Sequence, residues 1–337
     1  VELDSCVIPL RNDQKLIQTT DFFYPLIDDP YTMVRKYLLL TKCPFTQGWI
    51  TCCNVLSDLY AMGVVDCDNM LLLLGVAQEM NSKEREVAIP ALMQGFRDCA
   101  FEAGTFIRGG QTVLSPWLMV GGVATSVCSD VEFIMPNQAQ EGDLLVLTKP
   151  LGTQVAVNIR QWMLDGHSFW TSNLCNAISM EQVQSLFHAA TMSMARLNRT
   201  AARLMHKYGA HGCTDVTGFG LLGHADNLAR FQTNPTIGFK LHSLPVLAHT
   251  LELSRLLNDR FKLTVGLCPE TSGGLLVILP AAAATQYCEE LKELEGSPAW
   301  VVGEVVQSDT KKAFLVESPT FIEVDHASIA TRSSTNG

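Results

Sequence analysis

Four aspartates fall where apolar segments meet polar loops. Asp4 follows Val1-Glu2-Leu3, and Asp21 follows Gln18-Thr19-Thr20. Asp58 closes Asn54-Val55-Leu56-Ser57-Asp58, and Asp215 lies in Cys213-Thr214-Asp215-Val216-Thr217-Gly218-Phe219-Gly220. Hard divalent cations take carboxylate oxygens, and Mg²⁺ commonly joins one or two carboxylates to substrate phosphates. An apolar strand that ends on an aspartate presents such a ligand. Taken singly, each is more commonly a helix cap or a turn residue. Asn54 and Asp58 stand i, i+4 and share one helix face, which allows a joint role.

Gly109-Gly110-Gln111-Thr112 sits between Ile107 and Val113. Two glycines inside a strand pattern mark a bulge, or the close approach of a ligand or another backbone. Their exposed N–H groups could hold phosphate. Thr217-Gly218-Phe219-Gly220 precedes a helix whose N-terminus would favour an anion, although such glycines also serve tight packing. No G-x-x-x-x-G-K-[ST] loop occurs, which excludes a P-loop enzyme. The G-x-G-x-x-G at Gly218–Gly223 falls within the segment read as a helix from Val216 and follows no expected strand, which argues against a dinucleotide site. Cys52, Cys53, Cys67 and Cys99 lie in apolar settings and read as small buried hydrophobes. His211 and His224 flank the Asp215 motif, as site residues or as ordinary packing.

The elements that must position these residues read as α/β. Lys15–Tyr24 is a strand. Gly48–Met62 is a helix stopped by Gly63, and Pro44 argues against its extending backward. Asn69–Ala77 is a buried strand, and a helix capped by Ser82 runs to about Ala103. Thr105–Leu114 and Trp117–Val127 read as paired strands joined across Ser115-Pro116. Residues 1–127 form one domain on this reading, with 128–142 as a linker and 143–325 as a second α/β domain. In the second domain Asp143–Thr148, Thr236–Leu241, Gly273–Leu279 and Ala299–Val306 read as strands. Met180–Tyr208, Val216–Arg230 and Ala281–Leu294 read as helices. Residues 326–337 form a polar tail expected to be disordered. Val34–Gln47 fits neither neighbour and reads as an insertion.

The chain has 337 residues, enough for about two domains. Its net charge is −10, which argues against a broad basic surface for nucleic acid. Bound cations could still bring an anionic ligand to an acidic protein. Eleven cysteines without a single C-x-x-C pair fit reduced thiols in the cytoplasm rather than a disulfide framework or a zinc site. No apolar run reaches membrane-spanning length and no signal peptide is visible. The first residue is Val1, and Val-Glu-Leu-Asp reads like the middle of a strand, so residues are expected in front of it.

QTTDFFYPLIDDPY, NVLSDLYAMG, GGQTVLSPW, VLTKPLGTQVAV, ARLNRTAA, TDVTGFGLLGHA and CPETSGGLL together resemble the selenophosphate synthetases (selenide, water dikinases), in order and over nearly the whole chain. The animal forms are the nearest in pattern. The resemblance implies a homodimer with the two-domain aminoimidazole ribonucleotide synthetase (PurM-like) fold and its mixed sheets. It implies the reaction ATP + selenide + water → selenophosphate + phosphate + AMP, which supplies selenium for selenocysteine. It also implies Mg²⁺ held by Asp4, Asp21, Asp58 and Asp215. Nucleotide contacts would come from Glu2, Leu3, Asp4, Asp21, Asp58 and the stretch Gly109, Gly110, Gln111, Thr112. ATP and selenide are then the partners, with no nucleic acid and no membrane.

The departures are specific. The family's redox cysteine or selenocysteine and its catalytic lysine fall upstream of the position matching Val1, so no residue here takes those roles. Glu2 stands where the family usually has Gly, and Trp49 replaces an expected Arg after the insertion. An alternative to the enzyme is a catalytically silent synthetase-like paralogue that acts as a regulatory or interaction protein.

Overall fold

The computed structural model describes residues 4–24 and 43–329. Glu2, Leu3, most of the 34–47 insertion and the tail from residue 330 lie outside the described residues. The chain forms two compact units. One extends to Phe133 and takes in Ala195–Ala202; the other holds Ile134–Met194 and the residues from Arg203 onward.

The first unit contains β1 (Cys6–Pro9), β2 (Lys15–Phe23), α1 (Cys43–Ala61), β3 (Asn69–Ala77), α2 (Ser82–Glu102), β4 (Ile107–Ser115) and β5 (Met119–Cys128). They build a five-stranded sheet in the order β1-β2-β5-β3-β4. The crossover through α2 makes β4 parallel to β3, while β5 runs antiparallel to both β3 and β2. The expected pairing of 105–114 with 117–127 is therefore not formed. β3, with the run Met70-Leu71-Leu72-Leu73-Leu74, is the most apolar strand, and it takes the place between them, where neighbours flank it on both sides.

Helices α1 and α2 cover one face of this sheet and touch backbone to backbone. A Cβ at Gly48 would lie 1.9 Å from the Leu92 carbonyl oxygen, and one at Gly95 would lie 1.8 Å from that of Phe45. Helix α1 begins at Cys43 rather than at Gly48. Pro44 sits in its first turn, where a missing N–H costs no helical bond, so the proline admits the helix instead of blocking it. The cap of α2 is Asn81, not Ser82. Its side chain accepts from the Glu84 amide at 3.0 Å, and the Glu84 carboxylate accepts from the Asn81 amide at 2.8 Å, a reciprocal capping box.

The second unit contains β6 (Leu144–Leu147), α3 (Thr153–Asp165), α4 (Met180–Met194), α5 (Arg199–Lys207), β7 (Gly212–Asp215), α6 (Gly220–Phe231), β8 (Ile237–Leu247), α7 (Thr250–Leu256), β9 (Leu275–Leu279), α8 (Ala281–Glu295), β10 (Trp300–Gln307) and β11 (Ala313–Val324). Its six strands run in the order β11-β8-β10-β6-β9-β7. The pattern over 180–208 is two helices. The break falls in Ala195–Asn198, part of the segment that packs with the first unit. There the Trp49 indole donates to the Ala195 carbonyl at 2.9 Å, and the Asn198 amide donates to the Ser57 hydroxyl at 3.0 Å. The helix expected from Val216 begins at Gly220, because the Val216 amide bonds the Gly274 carbonyl instead. The start of the expected disordered tail is structured. His326–Ser328 forms a 3₁₀ turn whose Ala327 amide donates to the Asp325 carboxylate at 3.0 Å.

Candidate metal and nucleotide site

Strand and helix periodicities meet in the first unit. Thr19 and Asp21 are two apart on β2, so they share a face and stand about 6.6 Å apart along the strand. Asn54 and Asp58 are four apart on α1, one turn or about 6 Å. The two spacings match, and the residues pair crosswise. The Asn54 amide donates to Asp21 Oδ2 at 2.6 Å, and the Thr19 hydroxyl donates to Asp58 Oδ2. The same hydroxyl lies 3.4 Å from the main-chain carbonyl of Asp4. A carboxylate oxygen of Asp4 lies within 4.8 Å of one from Asp58. Asp4, Asp21 and Asp58 are half-buried. Burial pushes the Asp21 carboxyl above its ordinary value, against the lowering effect of the Asn54 bond. The donor set is all carboxylate oxygen, which suits a hard divalent cation. A cation there would also compensate the burial that Asp21 meets.

The glycine stretch lies elsewhere on the same sheet. Asp21 pairs with Gly122, Gly122 with Leu72, and Leu72 with Gly110. Three strand spacings therefore separate Asp21 from Gly110, about 14 Å. No single phosphate touches both. The stretch occupies the edge strand β4, with every residue from Gly109 to Thr112 exposed. The register slips opposite Arg108, so the bulge reading is also observed. Gly110 has φ +147°, and a Cβ there would lie 1.9 Å from the Leu72 carbonyl oxygen, which only glycine tolerates. On the helix side a groove of about 970 Å³ opens beside Gly110 and Thr112, walled by Leu72, Met93, Arg97 and Phe101.

Asp215 ends β7 in the second unit and is buried. The loop after it has two of its amides engaged internally. The ring nitrogen Nε2 of His224 accepts from the Thr217 amide at 3.0 Å and from the Phe219 amide at 3.3 Å. Burial pulls His224 down to about 4, which leaves the neutral acceptor those amides require. His224 thus engages two amides of the loop ahead of α6, while the N-terminus of α6 itself carries no side-chain cap. His211 pairs with Asp143 at 2.7 Å.

Sequence reasoning passed over Thr19, whose signal was its i, i+2 spacing to Asp21. It also passed over Glu270. That carboxylate accepts from the Gly152 amide at 2.7 Å and the Thr153 amide at 2.9 Å, at the start of α3. Burial pushes it up to about 7 despite those bonds.

Comparison with known proteins agrees with this architecture. The model of the AIR synthase related protein N-terminal domain matches residues 3–128, and that of the C-terminal domain matches 140–316. Selenide, water dikinase 2 of Mus musculus is 50% identical over 96% of this chain and 68% of its own length. Probable selenide, water dikinase of Caenorhabditis elegans is 47% identical over 96% of this chain and 82% of its own. Among solved structures, AaThiL complexed with AMPPCP and TMP superposes with a TM-score of 0.65 at 15% identity, covering 95% of this chain and 90% of that one. That likeness concerns the fold, a two-domain PurM-like α/β architecture with two mixed sheets. Half-identity sustained through both domains carries the finer assignment: this chain belongs to the selenide, water dikinase family.

Proposed function

We propose that this protein supports ATP-dependent selenophosphate synthesis, in which ATP, selenide and water give selenophosphate, phosphate and AMP. The observation that carries the reading is the crosswise pairing of Thr19 and Asp21 on β2 with Asp58 and Asn54 on α1, which orients both carboxylates, that of Asp58 within 4.8 Å of Asp4. Asp4, Asp21 and Asp58 would hold Mg²⁺, and Asp215 is proposed as a metal ligand on the second unit. When bound, the metal supplies positive charge to the triphosphate, the main requirement of phosphoryl transfer. The protein's own part is to hold these oxygens in place. Thr19 and Asn54 orient them, and the α1–β2 contact fixes their separation. Gly109, Gly110, Gln111 and Thr112, with Glu2 and Leu3, are proposed nucleotide contacts.

A homodimer is part of the proposal. Helices cover one face of the first sheet, whereas Leu16, Leu71, Leu73 and Val123 on the other face are only half-buried. Phe22 and Val113 on that face are exposed. An apolar sheet face of this kind calls for a partner, and a second copy supplies one. A reducing, cytoplasmic location suits thiols such as Cys6, Cys52, Cys99 and Cys175, none of them in a disulfide. Among the described residues no helix is long and apolar enough to cross a membrane.

The test is ATP binding and turnover by the full chain with Mg²⁺, with and without selenide, measured as AMP and phosphate release. Mg²⁺-dependent ATP binding is expected, with its loss in Asp58→Ala, whereas selenide-dependent AMP formation is expected only when the upstream cysteine or selenocysteine and lysine are also present. Undiminished binding in that variant would overturn the ligand assignment. Binding without selenide-dependent turnover in a chain that carries the upstream segment, with neither cysteine nor selenocysteine at the redox position, would favour the silent-paralogue reading.

A further inference from the structure

Helix α1, which carries Asn54 and Asp58, is gripped by a piece of chain that the site above leaves unused. The chain leaves the first unit after Phe133 and returns to it over Ala195–Ala202. That segment runs along one stripe of α1. The Trp49 indole donates to the Ala195 carbonyl at 2.9 Å, and the Cys53 Sγ lies 3.3 Å from the same oxygen. One turn further on, the Asn198 amide donates to the Ser57 hydroxyl at 3.0 Å. Residues 49, 53 and 57 recur every four positions, so they face one way. Trp49, Ser57 and Asn198 are all buried. Beyond the helix, Arg199 donates to the Val65 carbonyl at 3.1 Å and pairs with Asp66. The segment thus holds α1 as a strap, from its second turn to the loop that follows it. Trp49, at the position where an arginine is expected, supplies one of the strap's N–H groups.

Three constraints then act on α1 from three directions. At about 100° per residue, the stripe 49, 53, 57 is centred about 120° around the helix from Asn54 and Asp58. Gly48 faces the Leu92 carbonyl of α2 on the remaining side. The contact with α2 is backbone on backbone and fixes how close the helices lie, whereas the strap's directional bonds fix rotation. Side-chain ends stand about 5–6 Å from a helix axis, so a turn of about 10° moves a carboxylate oxygen by about 1 Å. Mg²⁺ demands near-ideal octahedral geometry at about 2.0–2.1 Å, whereas Ca²⁺ accepts flexible arrangements at about 2.3–2.6 Å. A displacement of that size costs Mg²⁺ far more than it costs Ca²⁺. We propose that Asn198 and Trp49 are positioning residues for the carboxylate site, and that the strap Ala195–Ala202 sets the rotation of α1 at which the site fits the smaller cation. This role rests on the reading of Asp4, Asp21 and Asp58 as ligands of a divalent cation.

The test follows Mn²⁺ binding to the full chain by electron paramagnetic resonance and displaces the ion with Mg²⁺ or with Ca²⁺. In Asn198→Ala and in Trp49→Phe, Mg²⁺ affinity should fall about 3- to 10-fold, less than the about 10- to 100-fold that follows loss of a group bonded to a ligand itself. Ca²⁺ affinity should change by less than about twofold. Ser57→Ala should reproduce Asn198→Ala, and the two together should lose no more than either alone. Trp49→Phe keeps an aromatic ring and removes the N–H, so it decides if Asn198→Ala fails to fold. Equal falls in Mg²⁺ and Ca²⁺ affinity would show general damage to the site and overturn the proposal. Unchanged Mg²⁺ affinity in the folded variants would also overturn it. Failure of the unaltered chain to bind Mn²⁺, or undiminished binding in Asp58→Ala, would instead overturn the carboxylate reading and the strap's role with it.

Discussion

Thr19→Val isolates the contribution of one hydroxyl to the carboxylate site. Valine matches threonine in shape, and Thr19 is 5% exposed within β2, so the strand and its packing are preserved. The hydroxyl carries one hydrogen. Of its two neighbours, Asp58 Oδ2 is the nearer, and the Asp4 carbonyl at 3.4 Å is at the limit of bonding distance. The proton therefore goes to Asp58, and the substitution removes one hydrogen bond to a charged group. Such bonds contribute about 1.5–3 kcal/mol. At 1.4 kcal/mol per tenfold, the corresponding loss of metal affinity is about 12- to 140-fold. Outer-shell partners of metal ligands commonly cost about 10- to 100-fold, a similar range. Asp58 is half-buried, so water replaces part of the lost bond and the expected loss lies toward the lower end. The assay is a Mn²⁺ titration of the full chain followed by electron paramagnetic resonance, with Mg²⁺ as competitor. Thr19→Ser keeps the hydroxyl and should recover most of the affinity. If Thr19→Val binds Mn²⁺ as tightly as the unaltered chain, at an unchanged melting temperature, Asp58 is not held for a metal by Thr19 and the reasoning fails.

The second unit carries two buried groups whose pH effects oppose each other. Glu270, pushed up to about 7 from an ordinary 4.5, keeps a proton that the unfolded chain releases, so its contribution to stability falls as pH rises between those values. His224, pulled down to about 4 from 6.5, refuses a proton that the unfolded chain binds, so its contribution rises with pH over 4 to 6.5. Each is on the order of 3 kcal/mol, and they offset one another between about pH 4.5 and 6.5. Urea unfolding at several pH values should show stability rising more steeply with pH in Glu270→Gln and falling in His224→Gln; parallel profiles would contradict both assignments. Gly110→Ala drives a Cβ against the Leu72 carbonyl at a positive φ, and should cost about 2–4 kcal/mol by thermal denaturation. Asn81→Ala removes one arm of the capping box and should cost about 1 kcal/mol. In contrast, Pro44→Ala should leave the melting temperature nearly unchanged, because the first turn of α1 needs no N–H from that residue.

What the sequence made legible was local. The period of four placed Asn54 with Asp58, the period of two that sets Thr19 beside Asp21 went unused, and the match between about 6.6 Å on a strand and about 6 Å on a helix is enough to bring the pairs together once β2 and α1 pack. Gly63, with φ +73°, ends helix α1 by the rule that glycine alone adopts that conformation cheaply. Errors at element ends had local causes too. Asn81 and Ser82 are both good caps, and the reciprocal bond to Glu84 decides between them. Pro44 reads as a breaker only if it is interior to a helix.

Strand order was not legible, and it governs what the glycine stretch can do. Adjacency in sequence suggested a hairpin of 105–114 with 117–127. Pairing instead follows burial: the most apolar strand sits between its two neighbours, and Gly109–Thr112 is displaced to an open edge. Motif reading treated that stretch and the aspartates as parts of one ligand's surroundings. The register separates Gly110 from Asp21 by about 14 Å, so the two patches meet different ends of a ligand or different ligands. The close approach that makes Gly110 obligatory is to Leu72, its own neighbour in the sheet. Loss of nucleotide binding in a Gly110 variant would therefore report on sheet geometry first. Gln111→Ala, which leaves the backbone and its φ untouched, is the substitution that reads nucleotide contact at this edge: weaker ATP binding at unchanged stability supports it, and unchanged binding removes Gln111 from the site.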